Sequence, residues 1–264
     1  CPPERNKTLQ KGLTMQAKPV VLCILDGWGL STCKTGNAPA QAHTPTIDHI
    51  METYPHSTLI THGSNVGLPK DQMGNSEVGH TNIGAGRIVA MDLGRIDLAI
   101  ETGAFKKNSA LNVFTEKLKS SGGTAHILSL LSDGGVHGQF SHLIATLKSL
   151  NEHNIPAALH IVADGRDVAP KSIITYLTQL QDQTPHNTFI ATLTGRYYTF
   201  DRDNRWERIK DAYDAMVHGT SAQHFESAEK AIDAGYQSGK SDEFLPASVI
   251  GHYKGVKDGD GLFC

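Results

Sequence analysis

No apolar run in the sequence approaches the roughly 18 residues that a bilayer-spanning helix needs, so no transmembrane segment or membrane partner is expected. There is no basic excess either. Lys and Arg number 24 against 27 Asp and Glu, a formal net charge of −3, and the basic residues are scattered. Nucleic-acid surfaces concentrate positive charge on one face, so no nucleic-acid partner is expected. Cysteine is scarce. Cys1, Cys23, Cys33 and Cys264 fall in no CxxC spacing and suggest no disulfide framework. They fit free thiols in a reducing compartment, and a cytoplasmic location is expected. Residues 1–14 contain no apolar h-region and do not read as a signal peptide. Met15 precedes the first strand-like run and reads as the natural start, with residues 1–17 a disordered or non-native extension. The 14 histidines include no HExxH, and His137 and His142 are five apart, which does not stack on a helix face. The run Gly235-Tyr236-Gln237-Ser238-Gly239-Lys240-Ser241 is one residue short of a P-loop and follows no strand.

Short apolar runs alternate with longer amphipathic stretches, the pattern of a mostly parallel α/β sheet. The hydrophobic content of 39% and charged content of 19% suit an ordinary globular chain. Residues 19–25 read as a fully buried strand, 46–54 as a helix and 57–61 as a strand; helical signal then runs intermittently over 81–118. A regular section follows. Strands are expected at 126–131, 158–163, 189–193 and 248–250, and helices at 141–151, 171–181, 206–217 and 227–236. A domain boundary is placed near residues 88–95. The apolar stretch 261–264 reads as a strand cut short.

In open α/β sheets the functional site lies beyond the carboxyl ends of the strands. The first strand ends at Asp26-Gly27-Trp28-Gly29, the strand at 126 at Ser132-Asp133-Gly134-Gly135-Val136-His137, and the next two at Asp164-Gly165-Arg166-Asp167 and Thr194-Gly195-Arg196. Taken singly, Asp-Gly pairs are turn residues. Taken together, four strands each deliver an ionisable group beside a glycine, and turns do not need arginine. Arginine suits bidentate capture of phosphate or carboxylate, which points to a small, doubly anionic substrate. Ser76 falls near the start of a helix, where the macrodipole favours an alkoxide or bound phosphate. Serine is also a preferred helix cap, so nucleophile and cap both stand at this point.

The motifs Asp26 to Gly29, Gln72 to Arg87 (QMGNSEVGHTNIGAGR), Ser132 to His137, Asp164 to Asp167 and Thr194 to Arg208 (TGRYYTFDRDNRWER) occur in this order. Over residues 18–262 the chain resembles the cofactor-independent phosphoglycerate mutases, of the alkaline phosphatase superfamily. The resemblance implies an α/β protein with residues 18–90 as the first segment of a metal-binding, alkaline-phosphatase-like domain. Residues 91–264 would be an inserted, incomplete transferase domain. It implies that Ser76 is the nucleophile that becomes phosphoserine, and that Asp26 and Ser76 ligate a divalent metal, usually Mn2+, with Mg2+ or Co2+ as substitutes. His137, Arg166, Asp167, Arg196 and Arg202 match substrate-binding positions. The implied reaction interconverts 3-phosphoglycerate and 2-phosphoglycerate in glycolysis and gluconeogenesis, with no bisphosphoglycerate cofactor, in an enzyme that is a monomer when complete.

Gln139 stands where relatives often carry histidine, so the loop after His137 is expected to differ in detail. The chain ends before an arginine-rich segment and a second phosphatase segment that the resemblance calls for, so by itself it is expected to turn over little or nothing. Within the superfamily a phosphatase or another phosphomutase is the runner-up, and DGRD and TGRYY argue against it. The other alternative is an inactive fragment retaining at most phosphoglycerate binding. Arg205 and Arg208, i,i+3 on a helix, read as a solvated face, and His80 as a loop residue with no role beyond hydrogen bonding.

Overall fold

The computed structural model describes residues 18–69 and 72–264, which fall into two units that divide between Thr58 and Leu59. The extension expected at 1–17, Met15 included, lies outside the described residues. The boundary expected near 88–95 falls inside the second unit.

The described part of the first unit carries two helices, α1 (Ala38–Gln41) and α2 (Pro45–Thr53). Asn37 caps α1 by accepting from the Ala40 N–H at 3.3 Å. Proline opens α2, at the one turn where a missing N–H has no cost. The buried strand expected at 19–25 is not formed: these residues take no regular structure, and Val20 and Val21 are 92% and 87% exposed. A strand needs a neighbour to satisfy its ladder, and the described residues of this unit include no other strand. The strand expected at 57–61, which straddles the division between the units, is likewise not formed, and Leu59 and Ile60 are exposed.

The second unit begins with a 3-10 turn (Gly63–Val66), then α3 (Ser76–Ala85), α4 (Asp92–Glu101) and α5 (Ser109–Ser121). The alternating section follows as β1 (Ala125–Leu130), α6 (Phe140–Glu152), β2 (Ala157–Ala163), α7 (Ile173–Gln183), β3 (Thr188–Gly195), α8 (Arg196–Thr199) and α9 (Trp206–Tyr213). After α9 the helix widens into a π-turn, and β4 (Gln223–Phe225), α10 (Ala228–Gln237), β5 (Ser248–Ile250) and β6 (Gly261–Phe263) complete the chain. The six strands form one sheet in the order β4-β5-β3-β2-β1-β6, parallel except where β5 meets β3. The fold is therefore mixed α/β with a mostly parallel sheet. The sequence pattern shows no sign of β4, whose residues Gln223 and His224 are exposed at the sheet edge. No helix among the described residues is long and apolar enough to cross a membrane, and Cys23, Cys33 and Cys264 are free thiols.

β2 is buried along its whole length because helices cover both faces of a parallel sheet. One face packs Ile127, Leu159, Ile161 and Leu193 against Leu143, Leu147 and Leu150 of α6 and Leu177 and Leu180 of α7. The other face is lined by small side chains, Ala158, Ala191 and Ala215, with Val249 and Tyr253. The room they leave holds a polar chain across the sheet. Asp260 Oδ2 lies 3.1 Å from His126 Nε2, His126 Nδ1 is 2.9 Å from His160 Nε2, and His160 Nδ1 is 2.9 Å from Thr192 Oγ1. With both rings neutral the chain closes one way: Thr192 donates to His160, His160 to His126, and His126 to Asp260.

Burial, and then His126, push the His160 imidazole down from 6.5 to about 3. Below pH 6.5 the unfolded chain binds a proton that the folded chain refuses, so this contribution to stability is full above that pH and is lost as the pH falls toward 3. The slope reaches about 1.4 kcal/mol per pH unit. Urea midpoints measured from about pH 7.5 down to about pH 5 should therefore fall, and His160→Gln should flatten the slope. A slope that survives the substitution would place its source elsewhere.

Candidate functional site

β1, β2 and β3 run in parallel, so their carboxyl ends deliver Ser132, Asp164 and Arg196 to one side of the sheet. Asp164 is the buried hub. Its carboxylate accepts from the Ser132 hydroxyl at 2.7 Å, from the Arg166 and Asp167 N–H groups at 3.2 and 3.1 Å, and from Arg196 Nη1 at 2.6 Å. Burial raises the Asp164 pKa, but these donors outweigh it and hold the group below the ordinary carboxylate range. Arg196 Nη1 also reaches Asp167 Oδ2 at 2.6 Å, and the side chain is only 10% exposed. β3 passes into α8 at Gly195, where an added Cβ would sit 2.3 Å from the Glu243 carbonyl oxygen. Glycine there lets the segment carrying Asp242 and Glu243 lie against the strand end.

Beyond this hub opens a cleft of about 560 Å³ lined by His137, Arg166, Asp167, Arg196 and Arg202, together with Tyr197, Phe200, Asp201, Asp203, Arg208 and Glu243. The five residues matched to substrate-binding positions thus face one cavity. A larger cavity of about 800 Å³ opens at the amino ends of the strands, beside Thr124, Thr188 and Phe189. Its lining contains no arginine, and open α/β sheets bind ligands at the other end, so the smaller cleft is the candidate.

The four arginines of the cleft are not equivalent. Arg196 is committed to Asp164 and Asp167. Arg208 is committed to Asp201 at 2.7 Å and lies 3.9 Å from the centre of the Tyr197 ring. That corrects the reading of Arg208 as solvated: its position on α9 places it against α8, and its side chain is 20% exposed. Arg205 is exposed, as expected. Arg166 makes only a 3.5 Å contact with Glu243 and is 54% exposed. Arg202 is exposed, on a loop shaped by Asp201, whose Oδ2 accepts from the N–H groups of Asp203 and Arg205 at 3.2 and 2.8 Å. Among the described residues Arg202 has no ion pair. Arg166 and Arg202 are therefore the cations available to an anionic ligand. The sequence patterns did not single out Asp164 as the hub, or Asp201, Asp242 and Glu243. Asp242 is buried, holds the Ser172 and Ile173 N–H groups at 2.8 and 2.9 Å, and thereby fixes its neighbour Glu243.

Ser76 is the first residue of α3, and Asn75 is the cap, accepting from the Val78 N–H at 3.0 Å. The cap reading therefore belongs to Asn75, and the Ser76 side chain is exposed at the helix N-terminus. His80 is on α3 rather than in a loop. Its Nδ1 lies 2.8 Å from the Ser76 carbonyl oxygen and 3.2 Å from Ser76 Oγ. The shorter contact is to a pure acceptor, so Nδ1 carries the proton and cannot take one from Ser76. Ser76 does not line the cleft. Asp26 is exposed in the first unit, in a turn closed by the Trp28 N–H donating to the Leu25 carbonyl at 3.1 Å. Among the described residues no group of three or more His, Cys, Asp or Glu could hold a metal ion. A divalent cation of the magnesium or manganese type takes about six donors, so Asp26 and Ser76 do not by themselves make a metal site. Gln139 precedes α6 without a side-chain cap bond, and its Oε1 is buried with no partner among the described residues.

Residues 96–264 match the family model of the BPG-independent PGAM N-terminus. The chain is 58% identical over 247 residues to 2,3-bisphosphoglycerate-independent phosphoglycerate mutase of Ruegeria pomeroyi, and 57% to that of Roseobacter denitrificans. The protein of the same name from Paracoccus denitrificans is 55% identical. Each alignment covers 94% of this chain and 49%, 49% and 48% of the respective relative, so the chain spans about half the length of the curated relatives it matches. With more than half its aligned residues shared and the family's N-terminal model matched from α4 to the last strand, the chain belongs to the BPG-independent phosphoglycerate mutase family.

Proposed function

We propose that the protein to which this chain belongs is an isomerase that interconverts 3-phosphoglycerate and 2-phosphoglycerate through a phosphoserine on Ser76. The observation that carries this reading is the convergence of His137, Arg166, Asp167, Arg196 and Arg202 on one cleft. Arg166 and Arg202 would take the substrate's anionic groups, while Arg196, already paired, would hold the cleft's shape. Ser76 Oγ would bond to phosphorus as the bond to the glycerate oxygen breaks, with the hydroxyl proton passing to that oxygen. The held glycerate would then present its other hydroxyl and take the phosphoryl group back. Excluding water during this interval is what separates a mutase from a phosphatase.

In this reading residues 18–90 belong to an alkaline-phosphatase-like domain and 91–264 to the transferase domain. The enzyme acts as a cytoplasmic monomer of glycolysis and gluconeogenesis without bisphosphoglycerate. Asp26 and Ser76 would contribute to a site for Mn2+, or Mg2+ or Co2+, whose remaining donors are not gathered among the described residues. A divalent ion there would neutralise charge on the transferred phosphoryl group. The lack of a metal-ligand cluster among the described residues also favours a second reading: the 264-residue chain alone keeps phosphoglycerate binding and has no turnover.

A mutase assay with 3-phosphoglycerate and Mn2+, without bisphosphoglycerate, separates these. The native protein at its relatives' length should be active and lose activity on Ser76→Ala, whereas the chain alone should be inactive. Activity in the Ser76→Ala protein would sink the phosphoserine reading. For binding, Arg166→Ala and Arg202→Ala should each weaken 3-phosphoglycerate about tenfold or more while leaving the melting temperature unchanged, since each removes a charge-assisted bond without unpairing a buried group. Arg196→Ala should lower both. Unchanged affinity in Arg166→Ala and Arg202→Ala would take the substrate out of this cleft.

A further inference from the structure

The segment that carries the serine is tied to the loop that carries His137. The Gln72 side chain, four residues before Ser76, donates through Nε2 to the carbonyl oxygen of Gly135, two residues before His137. The contact is close at both ends. Gly135 sits at φ +64°, and a Cβ added there would come within 3.1 Å of the Gln72 amide. Gln72 Oε1 is buried and has no partner among the described residues, so the amide is oriented by its single bond to Gly135 rather than by a network of its own. Gln72 is also fixed in its backbone, where its carbonyl accepts from the Gly63 N–H at 2.8 Å. From there only Met73, Gly74 and the capping Asn75 separate it from Ser76. On the other side, the His137 loop is held by the Tyr176 hydroxyl donating to Asp133 and by the Ser132 hydroxyl on Asp164. Gln72 is thus a strut between two otherwise separately anchored pieces, one bearing the nucleophile and the other a wall of the cleft.

We propose that Gln72 is a positioning residue that sets the register of Ser76 against the His137 loop, and thereby determines whether a phosphoryl group on Ser76 returns to glycerate or is lost to water. The inference rests on the phosphoserine reading above. In the productive outcome the glycerate hydroxyl oxygen bonds to phosphorus, the Ser76 Oγ–P bond breaks and the hydroxyl proton passes to Oγ. In the loss, a water oxygen takes the place of the hydroxyl and inorganic phosphate leaves. Both steps break the same Ser76 Oγ–P bond and differ in the attacking oxygen, so a small displacement of the glycerate hydroxyl relative to the serine changes their ratio, as proximity arguments require.

The test uses Gln72→Glu, which keeps the shape and sets a carboxylate oxygen against the Gly135 carbonyl, and Gln72→Ala, which removes the strut. In the native full-length protein, both variants should lower the mutase kcat at least tenfold while raising inorganic phosphate released per mutase turnover at least tenfold. In the 264-residue chain, Gln72→Glu should speed amide hydrogen exchange over residues 132–138 at least tenfold while leaving exchange in β2 (Ala157–Ala163) unchanged. Equal losses of mutase and phosphatase rates, an unchanged ratio, or unchanged exchange would overturn the proposal. Full-length protein with no Ser76-dependent turnover, but with faster exchange in Gln72→Glu, would overturn the phosphoserine reading, and the partition role with it, while leaving the strut itself established.

Discussion

The buried carboxylate of Asp164 is the constraint on which the cleft depends. An ionised group taken out of water is costly unless it is paired and hydrogen-bonded. Asp164 meets that condition by drawing in donors from three strand ends: the Ser132 hydroxyl after β1, two backbone N–H groups after β2, and the Arg196 guanidinium after β3. The parallel register of β1, β2 and β3 brings these donors within reach. The fold and the site are therefore held by the same interaction.

From that hub the electrostatics of the cleft follow. Its lining contains four guanidinium and four carboxylate groups. The pairing is uneven, with Arg196 and Arg208 well satisfied, Arg166 weakly and Arg202 free of ion pairs among the described residues. A cleft with balanced formal charge can still be selective for anions when its unpaired groups are cationic and its paired ones hold them in place. Arg196 serves two carboxylates at once through its Nη1.

Much of this was legible in the sequence, and the physical reason is burial. Strands covered on both faces read as continuous apolar runs, which is why the strands expected at 126–131 and 158–163 fall within a residue of β1 and β2. The same signal misled at 19–25, because an apolar run reports a preference for burial and cannot report whether a pairing partner is at hand. DGRD and TGRYY stood out because turns do not require arginine. Their partners did not: Asp242 and Glu243 come from a distant 3-10 turn (Asp242–Phe244), and only packing shows that Gly195 admits it. Helical spacing placed Arg205 and Arg208 on one face but could not reveal that Tyr197 lies under the second of them. The Asn75 cap was hidden by its neighbour, since Asn and Ser are both good caps and only the backbone shows where the helix starts.

The most direct test of the central claim is a paired measurement on Asp164→Asn: urea unfolding and calorimetric titration with 3-phosphoglycerate. Neutralising Asp164 leaves the buried Arg196 paired with Asp167 alone and weakens the charge-assisted bonds to the hub, so stability should fall by about 2 kcal/mol. Binding should be lost with it, although Asp164 does not itself line the cleft. A variant that keeps wild-type affinity and stability would contradict the account, because the arginines would then be held in place by something other than this carboxylate.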